Sequence, residues 1–274
     1  MVATPIGNLG DLSPRALAIL QTADIVYCED TRHTRKLFSA NQVSPAGRLL
    51  ALHDHNEAEL CQRVVERVSA GETVALVSDA GTPAVSDPGA RVIAAVVSAG
   101  LTVTTTPGPS AVVAALTVSG LATDRFCFEG FLPRRAADLA ARAGSWEHEE
   151  RTVIFYESPK RIAETLRVLA DLFPKRLGVV ARELTKLHEE VVRGTMETLA
   201  DQFRDREVLG EITVVLEGAA KLAPVTNDVL LRALANELAN GVSVRDAAGR
   251  VATALDASRR HVYELALELR RGDT

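Results

Sequence analysis

Apolar runs of strand length alternate with amphipathic stretches along the first part of the chain, and each run ends in a loop of small or polar residues. Residues 1–4 read as the stub of a strand, and further strands are predicted over 24–28, 49–52, 73–77 and 101–105. Ser13 is placed to cap a helix whose first position is Pro14, with Ala16, Leu17 and Leu20 on one face. A second helix is predicted over 57–68. Strand, loop and helix in repetition imply a mostly parallel sheet, in a first domain ending near Ser119 and Gly120. Four residues are few for a first strand, which averages about 5–6, so the natural start is expected upstream of Met1.

Beyond Arg125 the pattern changes. Strands are predicted over 126–130, 152–156, 177–181, 189–193 and 211–216, with helices over 136–143, 159–172 and 196–203. Val191 and Arg193 alternate with their neighbours as in antiparallel pairing. Residues 218–224 read as a linker, and the rest is helical in pattern: 228–239, 243–255 with Ser243 as cap, and 258–269. The fold class is therefore α/β, with domains over 1–119 and 120–218 and a helical module over 225–274.

Two loops stand out. Ser78-Asp79-Ala80-Gly81-Thr82-Pro83-Ala84-Val85-Ser86-Asp87-Pro88-Gly89 follows the run at 73–77, and Thr106-Pro107-Gly108-Pro109-Ser110-Ala111 follows the run at 101–105. In an open α/β sheet ligands bind at the carboxyl ends of strands, so the two loops should share one pocket. Tight turns use the same residues, but two such loops, each opening a helix, favour a site. Neither contains Lys or Arg, whereas phosphate-binding loops usually add a cation to their backbone N–H groups. The expected ligand has an adenosine end and a positive or zwitterionic end. S-adenosylmethionine fits that description, bound between Pro5, the loop residues Ser78, Asp79, Ala80, Gly81, Val85 and Ser86, the pair Ser110 and Ala111, and the second domain near Tyr156, Gly210 and Glu211.

Composition narrows the classes further. The 274 residues are 47% hydrophobic and 24% charged, with a formal net charge of -5, which describes a globular chain and excludes a cationic nucleic-acid coat. RNA contact would need a local basic face. No apolar run approaches the roughly 20 residues that span a bilayer, and no signal segment opens the sequence, so a cytoplasmic protein is expected. The three cysteines, Cys28, Cys61 and Cys127, are widely spaced and expected to serve packing. His53 and His55 share a strand face but have no third ligand, so cap and turn chemistry is expected there and no metal.

Several stretches in order, ATPIGNLGDLS from Ala3, CEDTRHTRKL from Cys28, SDAGTPAVSDPG from Ser78, TPGPSA from Thr106, GFLPR from Gly130, YESPKR from Tyr156 and ARELTKLHEE from Ala181, resemble the ribosomal RNA small subunit methyltransferase I family, a branch of the tetrapyrrole methylases. The segment from Arg259 to Leu269 is similar to that family's C-terminal helix-turn-helix region, and Lys160 stands where the family often has His. The resemblance implies two α/β domains around a cleft and a homodimer. It also implies methyl transfer from S-adenosylmethionine to the ribose 2′-hydroxyl of a cytidine in the decoding region of small-subunit ribosomal RNA.

Orientation and a base assisting proton loss can supply the catalysis of such a transfer. Glu183 and Lys186 are the first candidates, followed by Glu157 and Asp30. RNA contacts are expected from Arg32, Arg35, Lys36, Arg134, Arg135, Lys160, Arg161, Arg259 and Arg260. A tetrapyrrole methylase would not need these cations, a noncatalytic RNA-binding protein would not need the two loops, and a nucleotide enzyme would want cations in them.

Overall fold

Three short parallel strands, β1 (Ile25–Cys28), β2 (Leu49–Ala51) and β3 (Val74–Leu76), form the first sheet in the order β2-β1-β3. Side chains on a strand alternate between faces, and β1 fills both. Val26 and Cys28 pack with Ala16, Leu20 and Phe38 of α1 (Pro14–Thr22) and α2 (Thr31–Ala40). Tyr27 packs with Leu60, Val64, Val92 and Val96 of α3 (Glu57–Ser69) and α4 (Ala90–Ser98). The cap on α1 forms as expected, the Ser13 hydroxyl accepting from Ala16 N–H at 3.1 Å. This computed structural model describes residues 1–45, 47–53, 55–220, 226–255 and 257–272.

The strand expected over 101–105 does not form. Residues 1–4 lie beside the end of β3 and make two isolated bridges, Val2 to Thr106 and Thr4 to Gly81. Val2 N–H donates to Leu76 O at 2.9 Å and Thr106 N–H to Met1 O at 2.8 Å. Val103 and its neighbours stay exposed on this edge, so the segment lacks the two covered faces that its apolar reading assumed.

The second sheet is mixed, in the order β4-β5-β8-β6-β7, from β4 (Phe126–Phe131), β5 (Thr152–Glu157), β6 (Leu177–Arg182), β7 (Glu190–Thr195) and β8 (Ile212–Leu216). β4 and β5 are parallel, and β8 runs antiparallel to both β5 and β6, as does β7 to β6. One face is covered by α6 (Ala136–Gly144), α7 (Ile162–Leu172) and α8 (Met196–Phe203), with Phe155, Leu166, Leu169, Leu199, Phe203 and Val214 in the core. α5 (Ala111–Ser119) covers the other, Val112, Ala115 and Leu116 packing on Ile154, Val179 and Val215. Helix α5 thus ends the first run of the chain yet is buried on the second sheet. Deleting a side chain such as Leu116 to Ala costs about 2–5 kcal/mol in a buried site of this kind. The helix expected from 159 starts instead at Ile162, because Ser158 to Arg161 form a turn whose Ser158 carbonyl accepts from Arg161 and Ile162 N–H.

Two compact units result, Met1–Ala219 and Ala220–Thr274, both sheets lying in the first. The second consists of α9 (Asn227–Ala239), α10 (Val244–Ala254) and α11 (Arg259–Gly272), with Leu230, Leu234, Ala248, Val251, Val262 and Ala266 as its core. The Ser243 hydroxyl caps α10 by accepting from Asp246 N–H at 3.2 Å. Most of the expected linker, residues 221–224, lies outside the described residues, as does Asp54 of the loop after β2. No helix among the described residues is long and apolar enough to cross a membrane.

Candidate functional site

The strand directions of the second sheet decide where a site can sit. The carboxyl ends of β5 and β6 and the start of the antiparallel β8 share one edge, and the loop after β3 meets that edge. Thr82 Oγ1 donates to Pro109 O at 3.2 Å, tying the 78–89 loop to the loop that opens α5. Gly81 exchanges backbone bonds with Thr4 at 2.9 and 3.1 Å and has φ of +81°, a left-handed conformation that L side chains resist.

Between these elements lies a cavity of about 350 Å³. Its lining includes Asp79, Ala80, Gly81, Val85, Ser86, Ser110, Ala111, Tyr156, Gly210 and Glu211, ten of the residues expected to hold a cofactor. No Lys or Arg is among the described residues that line it, whereas Asp79, Asp87, Glu157 and Glu211 are. Burial, with the charges of Asp87 and Glu211, pushes the Tyr156 hydroxyl up to about 12, so it stays a neutral donor. The tyrosine ring meets Phe131 at 5.4 Å and Phe128 at 4.9 Å between centroids. The lining is therefore apolar and acidic, suited to a cationic or neutral ligand and hostile to a polyphosphate.

A second cavity, of about 280 Å³, shares Ile6, Asp79, Ala80 and Glu211 with the first. Pro5 and Ser78 line this one only, and Lys186 stands in its wall. Lys186 Nζ donates to Glu183 Oε1 at 2.7 Å and to Glu211 Oε2 at 3.0 Å, and Glu211 N–H donates to the same Glu183 oxygen at 2.9 Å. Burial alone pushes the Lys186 ammonium down, but its bonds to the two carboxylates and their charges bring it above its usual value. Burial likewise pushes the Glu183 carboxyl up, and the bonds from Lys186 and Glu211 N–H bring it below its usual value. The backbone is bent to allow this: Gly210 has φ of +93°, and a Cβ there would sit 2.4 Å from Glu183 Cδ. Of five non-glycine residues with φ in the left-handed region among the described residues, Ala84, Ser86, Glu183 and Thr185 belong to the two loops around the cavities. Such strain concentrates at ligand sites.

Of the remaining candidates, Glu157 lines the first cavity and Lys36 the second. Glu183 lines neither cavity and acts on Lys186 and Glu211 from behind. Asp30 also lines neither. It caps α2, accepting from Arg32 N–H at 2.7 Å, and the Arg32 guanidinium holds its carboxyl down at about 2. The Glu157 side chain is fully buried, accepting from Thr165 Oγ1 at 2.6 Å and Ser158 N–H at 2.7 Å. Arg161 reaches Glu157 at 3.5 Å and donates to the carbonyls of Leu132 and Pro133, so it braces the turn rather than facing solvent. Arg35, Lys36, Arg134, Arg135, Lys160, Arg259 and Arg260 are exposed, and Arg32 is exposed though paired with Asp30. The His53 loop is a turn: Asn56 Oδ1 accepts from His53 N–H at 2.9 Å. Cys28 packs in the first core, where burial pushes its thiol up.

Ile6, Phe131, Leu184 and Thr213 line the first cavity without having been singled out in the sequence. Phe131, Ile6 and Leu184 carried a signal, lying in GFLPR, ATPIGNLGDLS and ARELTKLHEE, whereas Thr213 read as part of an ordinary core strand.

Residues 1–200 match the model of the Tetrapyrrole (Corrin/Porphyrin) Methylases. A protein of Mycobacterium tuberculosis called ribosomal RNA small subunit methyltransferase I is 45% identical over 271 residues, covering 98% of this chain and 94% of that one. This chain belongs to that methyltransferase I family, within the tetrapyrrole methylases. A second member, from Xylella fastidiosa, is 52% identical over 223 residues, covering 80% of this chain and 81% of the relative. The family's C-terminal region is also present, residues 226–270 matching the RsmI C-terminal HTH domain. Solved structures share the fold. Diphthine synthase superposes with a TM-score of 0.58 at 17% identity, covering 79% of this chain and 90% of that one. Uroporphyrin-III C-methyl transferase of Thermus thermophilus, complexed with S-adenyl homocysteine, gives 0.52 at 18%, covering 78% and 95%.

Proposed function

We propose that this chain methylates small-subunit ribosomal RNA, taking the methyl from S-adenosylmethionine and placing it on the ribose 2′-hydroxyl of a cytidine in the decoding region. The observation that carries the reading is a cavity whose described lining holds no Lys or Arg and that borders the Lys186 cluster, in a chain whose relatives are ribosomal RNA small subunit methyltransferases I. The residues of the first cavity fit the cofactor: Gly81 leaves its backbone open to close approach, the acidic lining suits a positive ligand, and Tyr156 offers a neutral donor. When bound there the cofactor supplies an electrophilic methyl on a positively charged sulfur.

The chain's own part is to orient the hydroxyl and take its proton as the new O–C bond forms. Lys186, held as an ammonium, donates to the hydroxyl oxygen and stabilises the negative charge that grows on it. Glu211, whose carboxylate lies on the boundary of both cavities, accepts the proton. Glu183 positions both. Arg35, Lys36, Arg134, Arg135 and Lys160 on the first unit, and Arg259 and Arg260 on the second, take RNA phosphates, which give affinity without reading sequence. The active species is a homodimer working on the assembled subunit in the cytoplasm.

Incubation with labelled S-adenosylmethionine and, separately, small subunits, large subunits and uroporphyrinogen tests the reading. Label is expected in small-subunit RNA alone; label in the tetrapyrrole alone would replace the reading with small-molecule methylation.

A further inference from the structure

No described residue of the turn after β2 lines either cavity, yet that turn begins a run of contacts that ends at the first. Asn56 Oδ1 accepts from His53 N–H, and Asn56 Nδ2 donates to Ala51 O at 3.1 Å, which fixes where α3 starts. Glu57, the first residue of α3, is only 5% exposed. Its Oε1 accepts from Gly89 N–H at 3.0 Å, Arg91 N–H at 2.8 Å and Val92 N–H at 3.4 Å. These groups open α4, and the first N–H groups of a helix have no partner within it and favour negative charge beside them. Gly89, at the cap position of α4, has no side chain to offer. Glu57 therefore caps α4 from another helix, and the same three bonds offset the cost of burying its carboxylate.

We infer that Glu57 is a positioning residue for the first cavity, holding the 82–89 loop in the conformation that walls it. The inference rests on the reading of that cavity as the cofactor's. The loop needs holding: Ala84 and Ser86 have φ of +68° and +62°, and Gly89 has +127°. Non-glycine residues in the left-handed region persist where their surroundings over-determine them. One end of the loop is determined by Gly81 and Thr82, through their bonds to Thr4 and Pro109. The other is determined by Glu57 at Gly89, and Val85, Ser86 and Asp87, which line the cavity, lie between the two. Glu57 lines neither cavity, so its effect on a ligand passes through the loop. Without its carboxylate the loop holds the binding form for only a fraction of the time, and apparent affinity falls by that fraction.

Titration calorimetry of the full chain with S-adenosylmethionine, beside thermal melts and steady-state kinetics on small subunits, tests this. Glu57→Ala should raise both Kd and KM for S-adenosylmethionine on the order of tenfold. It should change kcat at saturating cofactor far less, the signature of lost ground-state binding. Glu57→Gln keeps an oxygen where the three N–H groups converge and should restore most of the affinity. Val64→Ala is the control for general loosening: Val64 belongs to the core under α3 and α4 and lines neither cavity, so this variant should melt lower and keep the parent's Kd. Should Glu57→Ala not fold, Glu57→Asp, one carbon shorter, withdraws the oxygen while keeping the charge and reads the same quantity. A Glu57→Ala chain that binds as tightly as the parent, or a Val64→Ala chain that loses as much affinity as Glu57→Ala, would overturn the inference alone. A parent chain that binds no S-adenosylmethionine would remove the reading of the cavity, and this inference with it.

Discussion

Replacing Gly81 by Val tests the first cavity at its most constrained wall. With φ at +81°, any side chain there costs about 1–2 kcal/mol of stability, which in a unit of this size lowers the melting temperature by roughly 2–4 °C per kcal/mol. The Cβ itself would lie 3.3 Å from Ile6 Cγ2 and 3.6 Å from Pro109 O, so the wall has little room for the two further methyl groups. They must turn into the cavity, where they displace two or three ligand atoms. Small ligands gain about 0.3–1.5 kcal/mol per non-hydrogen atom, so about 1–4 kcal/mol is lost, or roughly 5-fold to nearly 1,000-fold in Kd. Gly81→Ala serves as control, carrying the backbone strain without the γ methyls, and should keep most of the affinity. Titration calorimetry with S-adenosylmethionine, paired with thermal melts, reads both quantities. A Gly81→Val chain that melts lower yet binds the cofactor as tightly as the parent would refute the cavity's assignment.

Lys186→Met should abolish most turnover while leaving cofactor affinity unchanged, and Glu183→Gln should cost less, as expected of a residue that works through Lys186; steady-state kinetics on small subunits checks both. Because the Lys186 value is raised, its ammonium is fully present below the usual value of 10.5 and is lost only as pH rises through the higher folded value, while the lowered Glu183 keeps its charge until pH falls below the usual 4.5. The pH profile of kcat should therefore show no Lys186 inflection near neutrality, and Glu183→Gln should move that alkaline loss to lower pH. Arg259 and Arg260 open α11, where positive charge opposes the helix dipole, although Arg260 is held by Glu264 at 3.1 Å. Changing both to Glu should weaken subunit binding and flatten its salt dependence with cofactor affinity intact, whereas unaltered methylation across a salt series would leave them solvated helix ends in a module that serves packing only. Light scattering at micromolar concentration should give the mass of a dimer; an active monomer would contradict that part of the proposal.

Much of the scaffold was legible because local signals and final packing agree. Met196–Phe203 forms the helix its pattern predicts, and the apolar runs that became β5 and β8 are covered on both faces. The two small-residue loops were legible for the same reason, since turn chemistry and strand ends coincide there. What failed depended on distant partners. The run at 101–105 has strand composition but lies exposed on an edge where a single isolated bridge, Thr106 to Val2, forms just beyond it. Arg161 looks like a site charge in YESPKR, yet Leu132 and Pro133, far along the chain, take its donors, while Glu157 keeps its place in the first cavity's wall with its oxygens held by Thr165 and Ser158. The carboxylate of Glu183 invites a catalytic role in the sequence, but beside Gly210 it binds Lys186 and the Glu211 backbone and lines neither cavity.

The most direct measurement is the chemical identity of the product. Small subunits incubated with the chain and S-adenosylmethionine are digested to nucleosides and analysed by mass spectrometry, with the modified position mapped on the RNA. The account predicts one new species, 2′-O-methylcytidine, at a single site in the decoding region, absent when Lys186 is replaced by Met. A methyl group on a base, or RNA left unmodified by a chain that binds the cofactor, would contradict it.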